Sequence, residues 1–194
     1  MAKGVFNGPI DATFLPRRHW QLNEPLSFKS DEIGKDEINF LQKHCDYVGD
    51  DGVITAKAGT VTDLASIPRF AWTFVAPFEV ARAAVLHDVL CVTCGEKLDY
   101  VTDYEFEELR ILTDKVFLLA MKSSEPEIPS WKIKICYYAV RLFGARAIKG
   151  TVRKQMDVEV LRERNELKRE KEAESKHNDN WHNDNWHNEG GQHH

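Results

Sequence analysis

The sequence predicts an α+β fold in which a small N-terminal antiparallel sheet packs on about three helices. Two observations lead to this class. The first third of the chain mixes short apolar and aromatic segments with turn residues, and after Thr60 the apolar residues recur at helical spacing. At 194 residues, the chain is also long enough for one domain with a substantial core.

Three segments of the first third carry strand signals. They read TFLPRRHWQL, EPLSFKS and VGDDGVITAKAG, and the last contains the turn dipeptide Asp51-Gly52 before Val53, Ile54 and Thr55. These segments predict a small antiparallel sheet. The intervening DEIGKDEINFLQKHCDYV fits a short helix or an irregular segment, and the sequence does not decide between them.

Three main helices are predicted between Ile67 and Phe143, and a short helix is expected before the first of them. Pro77 is expected to separate a short helix from a longer one that includes VLHDVL. DYEFEELRILTDKVFLLAM has apolar residues at three- and four-residue steps and predicts an amphipathic helix. PSWKIKICYYAVRLFG begins with Pro and Ser and ends with Gly, which are typical helix boundary residues.

The composition changes after residue 150, which predicts three regions. Residues 1–150 are expected to form a single globular domain, and residues 151–176 a charged, solvated helix. Residues 177–194 repeat His, Asn, Asp and Trp and are expected to be disordered. Five of the eight histidines lie in this tail, which could hold divalent metals loosely, although a functional use of that binding is the less favoured interpretation.

Charge and hydropathy exclude several classes of protein. The formal net charge is −5, so we expect no nucleic-acid partner. There is no signal-peptide pattern and no apolar run of roughly 18 residues, so we expect a protein without a membrane span that is made in the cytosol. The four cysteines are too few and too scattered for a disulfide framework, and Cys91 and Cys94 are interpreted as small apolar side chains near a helix end capped by Gly95.

Polar residues inside apolar segments are the candidate site. These residues are Asp63 in TVTDLASIP, the adjacent pair His87 and Asp88 in VLHDVL, and Asp114 in ILTDKVF. An unpaired buried charge costs several kcal/mol, so each should have a partner. The partners could be one another, a metal ion or the backbone amides of a helix start.

A structural and a functional interpretation of these residues remain open. In the first, Asp114 pairs with His87 to lock two helices together, and Thr62, Asp63 or Ser66 caps a helix that starts at Ile67-Pro68. In the second, His87, Asp114 and Asp63 bind a divalent metal or act as acid and base. Adjacent helical residues diverge by about 100 degrees. Asp88 would then lie outside the site itself and would fix the orientation of the residues that form it.

The motifs GTVTDLASIPR, ARAAVLHDVL, LTDKVFLLAM and CYYAVRLFG occur in this order. In this order they resemble a family of small bacteriophage proteins known as domain of unknown function 1353. The resemblance covers roughly residues 19–148 and places Asp63, Ser66, His87, Asp88 and Asp114 at the signature positions of the family. It implies phage origin and a compact domain, with no established activity. The chain departs from the family pattern at Cys91, where an aromatic residue is usual, and in the longer, more acidic stretch from Cys91 to Glu108.

Three functions are therefore weighed. The first is a small hydrolase-like enzyme that uses His87, Asp114 and Asp63, with a divalent metal as its cofactor where one is used. Ser66 is a poor nucleophile candidate because its context lacks the Gly-x-Ser-x-Gly turn. The HD pair alone does not indicate a histidine-aspartate phosphohydrolase, because the other histidines of the domain, His19 and His44, lie in poorly helical context.

The alternatives are a virion structural or assembly component, and a module that binds a host factor. The expected location is the host cytoplasm at synthesis, with the virion as a further location.

Overall fold

Two short antiparallel sheets precede the main helices in the computed structural model, which describes residues 4–16, 19–63, 73–96 and 101–144. The first sheet has the order β1 (Val5–Phe6), β4 (Leu26–Lys29), β5 (Ile54–Ala56). The second has the order β2 (Ala12–Leu15), β3 (His19–Leu22), β6 (Val61–Thr62). All neighbouring strands are antiparallel. The predicted antiparallel pairing is thus confirmed, although the strands form two sheets where one was expected.

The turn before β5 follows from its sequence. Gly52 has a φ of 75°, a conformation that favours glycine, and its N–H donates to Gly49 O at 2.9 Å. The Asp51 carboxylate accepts a hydrogen bond from the N–H of Val53 at 3.1 Å. These bonds reverse the chain at the predicted Asp51-Gly52 dipeptide and lead it into β5.

The segment between β4 and β5 that the sequence left undecided contains a helix, α1 (Lys35–His44). Its first turn is closed by Glu37, whose Oε2 accepts a hydrogen bond from the N–H of Gly34 at 2.8 Å. Glu37 also receives the Lys115 ammonium group at 2.6 Å, which links α1 to the third helix. Leu41 is fully buried, so α1 contributes to the core.

Three helices follow, in the order predicted. They are α2 (Ala81–Glu96), preceded by a short 3₁₀ turn (Pro77–Glu79), then α3 (Asp103–Lys122), and α4, which covers residues 130–144. The predicted break at Pro77 thus coincides with the 3₁₀ turn. Gly95 lies inside α2, so its predicted role as a helix cap is wrong.

The core forms where α2 packs against α3 and the sheets. Its largest fully buried side chains include Phe28, Leu41, Leu86, Leu90 and Phe117. The α+β class is therefore confirmed. All described residues belong to one compact unit. The predicted charged helix at 151–176 and the predicted tail at 177–194 lie outside the described residues. None of the described helices is both long enough and apolar enough to cross a membrane.

Candidate functional site

The adjacent residues His87 and Asp88 contact different parts of the fold. Both lie on α2, where consecutive side chains point about 100 degrees apart. The His87 side chain is directed at α3, and its Nε2 lies 3.1 Å from Asp114 Oδ1. The Asp88 side chain is directed at the second sheet, where its Oδ2 accepts a short hydrogen bond from Thr62 Oγ1 of β6. The structure therefore brings His87 and Asp114 together.

Two arginines share the Asp114 carboxylate with His87. Arg110, one turn before Asp114 on α3, donates from Nη1 to Oδ2 at 3.3 Å. Arg141 of α4 donates from Nη1 to the same oxygen at 3.2 Å. Asp114 is 1% exposed, and these donors supply the charge compensation that such burial requires. Sequence reasoning missed both arginines, although the i,i+4 spacing of Arg110 and Asp114 was a usable signal.

Arg110 is held in turn by Glu107. Its Nε and Nη2 donate to the two carboxylate oxygens of Glu107 at 2.9 and 2.5 Å, a bidentate geometry. These hydrogen bonds lower the pKa of Glu107 and raise the pKa of Arg110 from their ordinary values. Arg110 Nη1 also donates to the backbone carbonyl of Arg141 at 3.3 Å. The cluster therefore joins α2, α3 and α4 around one buried carboxylate.

The remaining surroundings of His87 are apolar or weakly polar. Its ring lies 4.8 Å from the Phe117 ring, measured between centroids. Cys91 Sγ lies 3.5 Å from Nδ1 and 3.6 Å from Nε2. His87 is 3% exposed, so these contacts and Asp114 enclose it almost completely.

Cys91, His87 and Asp114 have the composition of a cysteine nucleophile triad but not its geometry. A nucleophilic sulfur lies in line with one ring nitrogen of its base, whereas Cys91 Sγ is almost equidistant from both. Burial raises the pKa of the Cys91 thiol well above its ordinary value, which disfavours the reactive thiolate. This trio is therefore a packing arrangement and not an activated nucleophile.

The CxxC pair is buried in α2 and forms no disulfide. Cys94 Sγ lies 3.5 Å from Thr113 Oγ1 of α3, and burial raises the pKa of Cys94 to about 12. Cys136 is also buried, which raises its pKa to about 11. The interpretation of the pair as small packing side chains agrees with this environment.

The other predicted site residues are placed as follows. Asp63 directly follows β6 and is half-buried, whereas Ser66 and the predicted helix start at Ile67-Pro68 lie outside the described residues. Within the ranges that the structure describes, no three His, Cys, Asp or Glu side chains are grouped so that they could hold a metal ion. Metal ligation by His87, Asp114 and Asp63 remains a prediction. His44 is the last residue of α1, so its expected non-helical context was wrong.

A cavity lies on the side of α2 opposite to α3. Its volume is about 630 Å³, within the range of small-molecule sites. The helix supplies Ala81, Arg82 and Val85, and the second sheet supplies Thr62 among others. Most of the wall is apolar or aromatic, and includes Phe6, Ile10, Ala12, Trp20, Leu22 and Phe78. Sequence reasoning missed this cavity because its walls are far apart in the chain.

Two aromatic contacts shape the cavity wall. Trp20 and Phe78 meet edge to face with ring centroids 5.9 Å apart. Phe14 packs against Trp20 at 5.0 Å, which fixes the indole orientation from outside the cavity. Thr62, whose hydroxyl donates to Asp88, is a polar residue of this wall. The arrangement can therefore hold a largely apolar molecule beside a few polar groups.

Comparison with known proteins identifies the family of the chain. No curated protein and no solved structure is significantly similar to the chain. The sequence profile of one family matches residues 40–140, a span that contains the second half of α1, all of α2 and α3, and most of α4. This match covers more than half of the chain and includes His87, Asp88 and Asp114. The chain belongs to the family described as Protein of unknown function (DUF1353).

Proposed function

We propose that the protein is a binding module for a small, largely apolar molecule, which it holds in the cavity between α2 and the second sheet. The observation that carries the proposal is the aromatic wall of the 630 Å³ cavity. Ligand sites are typically concave and mostly apolar, with a small number of polar groups that fix orientation. The rings of Phe6, Trp20 and Phe78 supply the apolar surface, and Thr62 and Arg82 supply the polar groups.

The burial of His87 and Asp114 argues against catalysis by this pair. A general base must come within hydrogen-bond reach of its substrate, yet the two side chains are 3% and 1% exposed. Neither residue belongs to the cavity wall. The contacts of Asp114 with His87, Arg110 and Arg141 instead fit the structural interpretation, in which the pair locks helices together.

A hydrolase-like activity is the second candidate, and the position of Asp88 supports it. This half-buried carboxylate is hydrogen-bonded to Thr62, a residue of the cavity wall. A carboxylate near an apolar cavity is suited to act as a base towards a bound molecule. In one version of this candidate function, Asp88 takes the acid-base role that the sequence assigned to His87. In the other version, His87, Asp114 and Asp63 bind a divalent metal.

Fluorescence of the neutral dye N-phenyl-1-naphthylamine tests the binding proposal in the full chain. The dye is expected to bind the wild type, and Ala12→Phe, which fills the cavity, is expected to weaken that binding at least about tenfold. Phe78→Ser should weaken it less, and we expect it to leave folding intact because Phe78 is 69% exposed. Tyr138→Ser, at an exposed aromatic residue of α4, is the matched control and should leave binding unchanged. Equal binding to all four proteins, or none to the wild type, would refute the proposal.

Metal analysis tests the metal-dependent version of the second candidate function. The five tail histidines would carry metal themselves, so the full chain is measured with all five changed to alanine. Stoichiometric metal that disappears in His87→Ala would support a His87 metal site. Absence of metal would restrict the second candidate to acid-base chemistry at Asp88.

The biological setting is a separate proposal. Phage origin, a virion-associated or assembly role, and a host protein as partner are supported by the resemblance between the motifs and phage proteins. Detection of the protein in purified phage particles would favour the virion. Its recovery only from the host cytoplasm would favour a binding role there.

A further inference from the structure

Arg82 places a positive charge at the wall of the apolar cavity. Its guanidinium carbon lies 4.6 Å from the centre of the Phe6 ring, which holds one face of the group. Nη2 donates to the backbone carbonyl of Glu125 at 2.6 Å, and Nη1 lies 3.5 Å from that of Gly8. The side chain is therefore fixed by two carbonyls and a ring.

None of these partners neutralises the charge of Arg82. Within the described ranges it forms no ion pair with a carboxylate, in contrast to Arg110 and Arg141. A guanidinium has five N–H donors, and the two carbonyls engage only part of them. A positioned, partly buried cation with spare donors favours an anionic partner, and a carboxylate fits its fork geometry.

The wall also limits the charge of that partner. Among the described residues that line the cavity, Arg82 is the single basic residue, and Glu125 supplies the single carboxyl group. One cation can compensate one negative charge, whereas a phosphate dianion would carry excess charge beside Glu125. The rest of the wall is apolar or aromatic.

We propose that the cavity selects a small molecule with an aromatic or apolar body and a single carboxylate, which Arg82 binds while the body packs against Trp20 and Phe78. This inference rests on the proposed function and narrows it to one class of ligand. It also assigns a specificity-determining residue, because a neutral ligand of the same shape would leave Arg82 without its anion.

A matched pair of ligands tests the inference in the full chain. 1-Naphthylacetate carries the carboxylate, and 1-naphthylacetamide has nearly the same shape without charge. Isothermal titration calorimetry is expected to show at least about tenfold tighter binding of the acid by the wild type. Arg82→Met should remove that preference, so that this variant binds the acid and the amide with affinities within about twofold of each other. Arg82→Lys, which keeps the charge without the fork, should retain part of the preference.

The outcomes separate the two proposals. Equal affinity of the wild type for acid and amide, or binding of N-phenyl-1-naphthylamine without binding of the acid, would overturn the Arg82 inference and leave the binding module intact. Failure of every probe to bind would refute the proposed function itself. Circular dichroism melts of Arg82→Met check that the fold is kept. If that variant unfolds, the acid-to-amide ratio of the wild type and its fall with ionic strength decide the question.

Discussion

His87 of α2 and Asp114 of α3 form a buried contact of 3.1 Å between Nε2 and Oδ1, and Arg110 and Arg141 close the other side of the carboxylate. The four groups make one unit, because His87, Arg110 and Arg141 all contact the same carboxylate. This unit connects α2, α3 and α4. Its energetic role can be measured independently of any ligand.

Asp114→Ala is expected to lower the free energy of unfolding by about 3–5 kcal/mol, because it removes the buried acceptor that His87, Arg110 and Arg141 share. Denaturant unfolding followed by circular dichroism measures the change. Asp46→Ala is the control, since Asp46 is exposed, and it should change stability by less than about 0.5 kcal/mol. Unchanged or raised stability of Asp114→Ala would instead indicate a functional site that stores unfavourable charge.

Thr62→Val is expected to destabilise the fold by about 1.5–3 kcal/mol, because it removes the hydroxyl that donates to Asp88 while keeping the side-chain shape. Thr62→Ser retains the hydroxyl and should preserve most of the stability. Thermal melts of both variants provide the comparison. A larger loss in Thr62→Ser than in Thr62→Val would mean that the methyl group, and not the hydrogen bond, stabilises this contact.

The buried thiols are expected to resist modification in the folded chain. The pKa of Cys94 is raised to about 12 and that of Cys136 to about 11, so little thiolate exists at pH 8. Reaction with 5,5′-dithiobis(2-nitrobenzoic acid) at pH 8 should be at least about tenfold slower than in the guanidinium-unfolded protein, where all four cysteines react. A thiol that reacts in the native state at the unfolded rate would contradict this burial.

Glu107 is expected to add to the acid sensitivity of the fold. Hydrogen bonds from Arg110 lower its pKa from the ordinary value of 4.5, so the stabilisation is present above pH 4.5 and is lost as the pH falls through the lower, folded-state value. The side chain is half exposed, so the contribution is about 0.2–1 kcal/mol. Stability of Glu107→Gln should therefore fall less than that of the wild type between pH 5 and about pH 3. Glu24→Gln, at an exposed position, should follow the wild-type profile.

The sequence predicted the long helices well because their patterns are locally complete. The segment predicted for α3 begins at Asp103, where Thr102 and Glu105 form a capping box. Helix α1 remained undecided because it is short and polar, and its link to α3 through Glu37 and Lys115 depends on tertiary contacts. The pairing of the strands could not be predicted either, because segments of two to four residues do not specify which neighbours they pair with.

The candidate site shows the same limit. Helix geometry predicted that His87 and Asp88 diverge, and the proximity of His87 to Asp114 was one of the expected solutions. The sequence could not show that this pair is sealed, since burial depends on Arg110, Arg141 and Phe117 from other parts of the fold. The cavity could not be predicted for the same reason, because its wall is assembled from residues that are far apart in the chain, from Phe6 to Glu125.

Helix α2 contacts the cavity through Ala81 and Val85 on one side and α3 through His87 and Cys94 on the other. A single inserted or deleted residue before His87 would rotate the following part of the helix by about 100 degrees. His87 would then leave Asp114 and Asp88 would leave Thr62 in the same step. The number of residues between Ala81 and Cys94 is therefore a fixed dimension of this fold. Length variation among family members should be confined to the connections outside α2.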